Sequence, residues 1–339
     1  MTMPARLPWP LVFQVLGVVA LAWLLVNTWK IWLLAFTAVI VAAAILPAAR
    51  LGERYRIPRG VTVLAVYVAV AAIFALMGRL VWPALSEQGR QFMEQLPRMI
   101  DNVTGWVGDL EYYLGRWGAE LPTPKGENLQ SIARELVANT FRVTAGVMGA
   151  LFGLLAIVVI AAYLVMDARR IGEMLLSLLP PVHRPLARRL ADPVLERIGG
   201  YVRGQLVSSI FLGILIAIAL SLLGVRYGLL IGALAAVFNI VPFVGATLAA
   251  ILGVLAALNE SIALALVTVV VMTAAQTVEG KFLAPYFVGR ATGLHPLAVL
   301  LALLAGAHLA GLIGALVAVP LLAGAWEIVR VLYVEPRRD

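Results

Sequence analysis

The chain has 339 residues, of which 62% are hydrophobic and only 13% charged, with no cysteine and a mean hydropathy of +0.97. That is far more apolar side chain than a water-soluble domain of this length can bury, so composition alone makes it an integral membrane protein. The absence of cysteine excludes disulfides, thiolate chemistry and Cys-ligated metals. A net charge of +8 would suit nucleic acid, but the basic residues sit in short clusters between apolar runs, as the positive-inside rule requires.

In chain order, a short head with Arg6 precedes an apolar run from Leu11 to Val26. A second run, Ile31 to Leu46, follows almost at once, so the first reads as a span and not as a cleavable signal. Pro47 is expected to end that helix. Residues 48–60 hold Arg50, Arg54, Arg56 and Arg59 against Glu53, which places them in the cytoplasm, and Val61 to Trp82 crosses outward. Residues 83–142 carry six basic and eight acidic side chains. Apolar positions at Phe92, Leu96, Met99, Val103, Trp106 and Leu110 recur every three or four residues and predict an amphipathic helix. It lies on the membrane surface, packs against a neighbouring subunit, or acts as a lid. A second helix resumes near Leu129. Val143 to Met166 returns inward, residues 167–203 are net basic, and Pro180, Pro181 and Pro185 divide them into short helices. Gln205 to Leu223 crosses outward.

The remaining chain contains two apolar segments broken by turn residues instead of charges. The first break reads Phe238-Asn239-Ile240-Val241-Pro242-Phe243-Val244-Gly245, and nothing charged lies between Arg226 and Glu260. Its arms of roughly 15 residues reach only about 22 Å, short of a hydrocarbon core of about 30 Å. The prediction is a re-entrant hairpin with its tip at membrane depth. The second break, Ala305 to Gly314, is equally free of charge, and a nearly continuous helix, Ser261 to Gly280, separates the two. Paired interrupted segments point to a transporter's central site, because unwound backbone offers free N–H and C=O groups there. The expected architecture is all-α and polytopic, with about six full spans, two broken hairpins and an amphipathic insertion between the third and fourth spans. Its parts are 1–82, three N-terminal spans; 83–142, the insertion; 143–203, the fourth span and a basic cytoplasmic segment; and 204–339, the transport core. Ten full spans would give the same sidedness for both termini, which fall in the cytoplasm.

Candidate chemistry is sparse. Glu279 lies three residues after Gln276 on one helical face, and an intramembrane carboxylate is by default a proton carrier or cation ligand. Alternatively it is solvated at the helix end or paired with Lys281 or Arg290. Pro242 removes a donor and frees a carbonyl one turn earlier, Gly245 permits a tight turn, and Asn239 offers both donor and acceptor. Together these bind a small polyol or a partly dehydrated cation, or they form a plain capped kink. Thr247, Ser208 and Ser209 add hydroxyls. Arg203 is an interfacial anchor or a partner of Glu279, Lys281 snorkels to the interface, and His308 at the second break is a structural hydrogen-bonding residue or a proton relay. The chain carries no Gly-x-Ser-x-Gly, no His-Glu-x-x-His and no phosphate-binding loop, so neither an enzyme nor an ATP-driven pump is expected, and no cofactor or metal.

Several motifs, in this order, resemble the AI-2E transporter family: Tyr201-Val202-Arg203-Gly204-Gln205, Asn239-x-x-Pro242-x-x-Gly245, Gln276-x-x-Glu279-Gly280 with Pro285 and Gly289, Leu294-His295-Pro296-Leu297, and Gly311-x-x-Gly314-x-x-x-Ala318-Val319-Pro320. Ala246 and Lys281 depart from the family pattern, where Pro and Asn are common; a cation beside Glu279 would take the place of an external Na⁺ or H⁺. The resemblance implies a bacterial inner-membrane transporter assembled as a homo-oligomer, a pentamer, with Gln205 and Pro285 in the pathway. It implies export of a small polar solute such as autoinducer-2, or Na⁺(Li⁺)/H⁺ antiport. A membrane scaffold without transport is the remaining class, and the uncharged breaks argue against it. The lipid bilayer and the solute, cation or proton are the expected partners, and the expected mechanism is alternating access, the hairpins and helix 261–280 moving against the first four spans.

Overall fold

A computed structural model describes residues 27–116, 147–242, 244–289 and 293–334, together with residues 16, 17, 20, 21, 23 and 24. The first predicted span, the helix near Leu129 and Arg290 lie largely or wholly outside these. Every described element is helical. In order they are α1 (Trp29–Arg54), α2 (Arg59–Gly115), α3 (Val147–Met166), α4 (Ala168–Ser177), a single 3₁₀ turn at Pro181–His183, α5 (Arg184–Leu222), α6 (Gly228–Phe238), α7 (Val244–Leu258), α8 (Ile262–Val278), a segment of wide i→i+5 turns (Glu279–Gly289), and α9 (Pro296–Val329). The chain is an all-α, multi-pass membrane protein. Trp29–Arg54, Pro181–Leu222, Ile262–Leu283 and Pro296–Val334 are long and apolar enough to cross a bilayer. Arms α6 and α7 are too short to do so.

Pro47 does not end its helix: α1 runs on to Arg54 with Pro47 inside. A proline there leaves the carbonyls three and four residues earlier without their usual donors. The Arg203 guanidinium on α5 supplies them, donating to the Ala44 carbonyl at 3.0 Å and the Ala43 carbonyl at 3.4 Å. Gly199 lets α5 come that near, since a Cβ on it would sit 2.1 Å from the Ala43 oxygen. Pro185 likewise starts a long helix instead of a short one. It stands in the first turn of α5, where a proline N–H is not needed, and α5 then runs 39 residues through Pro193 into the membrane-spanning part.

The third predicted span and the amphipathic helix are one helix, α2, which passes through Pro83 and Pro97 and reaches about 85 Å at 1.5 Å per residue. Part of its apolar face packs on the chain's own first hairpin. Phe92, Leu96, Met99 and Ile100 are buried in one core with Leu212, Ile231 and Ala249, and the Phe92 ring meets Tyr227 edge-on at 5.3 Å. The Leu230 amide, unpaired at the start of α6, donates to the Gln88 side-chain oxygen at 3.0 Å.

Both predicted breaks are present. Between α6 and α7 the chain turns over Asn239 to Pro242, with the Val241 amide donating to the Phe238 carbonyl at 3.1 Å. In α9 the helix is interrupted at Ala310 (φ −143°, ψ 23°) and Gly311 (φ 59°, ψ −145°). The two arms fold against each other there: a Cβ on Gly306 would lie 2.4 Å from the Gly314 carbonyl oxygen, and one on Gly314 would lie 2.0 Å from that of Gly306. The hairpins meet where Val241, at the first tip, packs with Tyr201 of α5 and with Leu303, Ala315 and Val319 of the second.

Candidate functional site

The site forms where α5, the first break and the end of α8 converge. Asn239 is completely buried. Its backbone carbonyl, at the point where α6 stops, accepts from the Gln205 side-chain amide at 2.6 Å. Its own side-chain amide donates to the Glu279 carboxylate, while its side-chain oxygen has no hydrogen-bond partner among the described residues. One turn beyond Gln205, Ser208 and Ser209 are 1% exposed, and their hydroxyls also have no hydrogen-bond partner among the described residues. The result is a carboxylate held by a neutral donor, whose own backbone carbonyl is taken up by Gln205.

Local sequence explains the geometry. Gly245 is placed so close to the opposite arm that a Cβ would stand 2.2 Å from the Asn239 nitrogen and 2.6 Å from the Ala235 carbonyl oxygen. Its task is this close approach, since it is not among the described residues with positive φ. Pro242, half-buried in the turn, cannot continue α6. At Glu279 the chain changes from α-helical to i→i+5 turns, a geometry that recurs at functional positions because it displaces side chains from the regular helical face. Pro285 lies in this wide segment; its side chain is outside the described residues.

The other candidates stand apart from this cluster. Gln276 and Lys281 are exposed, and Glu279 forms no ion pair among the described residues. The guanidinium of Arg203 is turned to α1, which removes it as a partner of Glu279. His308 is exposed at the second tip, and Thr247 is exposed on the first turn of α7. Among the described residues no three His, Asp or Glu side chains converge as a metal shell.

One arrangement has no counterpart in the sequence reading. Glu327, in the second arm of α9, is 2% exposed and accepts from the Arg197 Nε at 2.7 Å and from the Arg330 Nη2 at 2.6 Å. In sequence, a glutamate and an arginine three residues apart near a terminus look like a solvated pair. The only available signal is that Glu327 is the single acid between Glu279 and Glu335.

A family model described as AI-2E family transporter matches residues 11–333. The chain belongs to the AI-2E transporter family. A Bacillus subtilis protein called "Putative transport protein YrrI" is 27% identical over 308 residues, covering 88% of this chain and 85% of its own. A second from the same organism, "Putative transport protein YueF", is 25% identical over 288 residues, 82% and 77% of the two chains. A Synechocystis protein with the same style of name reaches 29% over 282 residues, 79% and 78%. The family match spans both broken hairpins, and together with these relatives it makes this AI-2E chain a membrane transporter.

Proposed function

We propose that this AI-2E family chain is a secondary transporter of the bacterial inner membrane that exchanges a monovalent cation, Na⁺ or Li⁺, for a proton at the Asn239–Glu279 bridge. The observation that carries the reading is the pairing of Glu279 with a buried neutral carboxamide in place of a cation. A carboxylate so held can take up a proton or a partly dehydrated cation without first breaking a salt bridge. The Asn239 side-chain oxygen and the turn carbonyls would complete the coordination, as unwound helices do in transporters. The wide-turn segment after Glu279 and the first hairpin would move together against the N-terminal spans, in an assembly of several copies whose termini lie in the cytoplasm.

A second reading is export of a small polar solute such as autoinducer-2. It is favoured by the neutral amides of Gln205 and Asn239 and, one turn along α5 from Gln205, the buried hydroxyls of Ser208 and Ser209, which suit a polyhydroxylated molecule better than an ion. One measurement separates the two. In inverted membrane vesicles, the native protein should collapse a pH gradient on addition of Na⁺ or Li⁺, and Glu279→Gln should abolish the collapse. If native protein at comparable abundance gives no collapse, antiport is wrong, and the solute reading is tested by extracellular autoinducer-2, with Glu279→Gln retaining partial export.

A further inference from the structure

Helix α4 follows α3 with only Asp167 between them, so it starts at the end of an apolar helix. It has no buried residue. Ile171, Met174, Leu175 and Leu178 recur at intervals of three and four and form one stripe, with Met174 59%, Leu175 55% and Leu178 75% exposed. Val182, in the turn beyond, extends it at 83%. Arg169 and Glu173 fall on the opposite side, and Arg170 borders the stripe. The turn is fastened: the Arg184 guanidinium donates to the Leu179 carbonyl at 3.0 Å and the Ser177 carbonyl at 3.2 Å, satisfying the end of α4. Arg188 and Arg189, in the first turns of α5, are exposed. Neither they nor Arg170 form an ion pair among the described residues.

We propose that α4 and the turn after it lie in the membrane interface and bind anionic lipid, the stripe entering the acyl boundary and Arg170, Arg188 and Arg189 meeting the headgroup phosphates. An exposed apolar stripe flanked by uncompensated cations matches a surface that offers hydrocarbon and negative charge at adjacent depths. A second copy of the chain fits less well, because the same segment on it would present the same arginines. Since α5 runs unbroken from Arg184 to Gln205 and on to Leu222, the anchor is joined rigidly to the Gln205–Asn239 contact. Anionic lipid thereby sets the tilt of the helix on which the transport site is built, whatever the cargo.

The chain has no cysteine, so Leu178→Cys gives a single label position in the full-length protein. With an environment-sensitive fluorophore there, reconstituted into phosphatidylcholine with increasing phosphatidylglycerol, emission should be quenched by lipids brominated near the headgroup and not by aqueous iodide. Brominated phosphatidylglycerol should quench in preference to brominated phosphatidylcholine. Replacing Arg170, Arg188 and Arg189 with Gln should reduce that preference roughly fivefold or more, and replacing them with Lys should retain it. Iodide quenching without lipid quenching overturns the proposal. So does cross-linking between copies through the introduced thiol with no dependence on lipid charge, or a preference unchanged in the Gln variant.

Discussion

At Asn239 three separate demands fall on one residue: its carbonyl must be taken up where the helix stops, its amide must reach Glu279, and its backbone must pass within contact distance of Gly245. The atoms that a Cβ on Gly245 would strike are all backbone, so no rotamer change relieves the clash. Gly245→Ala should therefore cost about 1–3 kcal/mol through overpacking and should push the arms apart, breaking the Asn239–Glu279 bridge. Expected outcomes are a lowered melting temperature in detergent and loss of transport; a native melting curve with native transport would show that the arms are not held this way. The turn chemistry of Asn239, Pro242 and Gly245 is legible in the sequence because it is local. The partner of Glu279 is not. Lys281 and Arg203 are the charges close in sequence or motif, whereas the residue that meets Glu279 lies 40 positions away and reaches it only through the packing of α6 against α5.

Among the elements, the second hairpin depends on a backbone conformation that side chains other than glycine's rarely adopt. Gly311, at φ 59° and ψ −145°, lies in such a region, and forcing a Cβ there costs roughly 1–3 kcal/mol. Gly311→Ala should lower the melting temperature clearly, while Gly89→Ala, at an open position within α2 with no atom near a new Cβ, should be neutral or slightly stabilising. Equal effects at the two sites would remove the argument. Charge-free turn residues reveal both hairpins in the sequence. Proline as a helix terminator misleads at Pro47, because whether a proline ends a helix depends on whether another element satisfies the freed carbonyls. For Pro47 that element is α5, through Arg203.

Across the whole molecule, the triad of Arg197, Glu327 and Arg330 ties the base of α5 to the last arm of the second hairpin. Glu327→Leu alone strands two arginines, one of them only 13% exposed, and should destabilise by about 3–5 kcal/mol. Replacing all three with apolar residues of similar volume should restore most of that loss. Thermal unfolding of the single and triple variants in one detergent checks this, and a triple variant no better than the single would rule out charge as the cause. What the sequence by itself determined was the solvent and the periodicity. Apolar excess put the chain in a bilayer, the helical repeat named the face of α2 that is buried, and uncharged Gly, Pro and Asn marked the breaks. Each of these is a property of a few neighbouring residues. Only the tertiary structure decided that α2 covers the chain's own hairpin, that Asn239 holds Glu279, and that Glu327 is buried between two arginines. The hydrogen bonds that record these choices reach across 40 positions from Asn239 to Glu279, 130 from Arg197 to Glu327 and 142 from Gln88 to Leu230. In an apolar chain many helix faces are equally able to pack, so the choice among them rests on shape and on a few polar partners, and these become neighbours only once the helices have assembled.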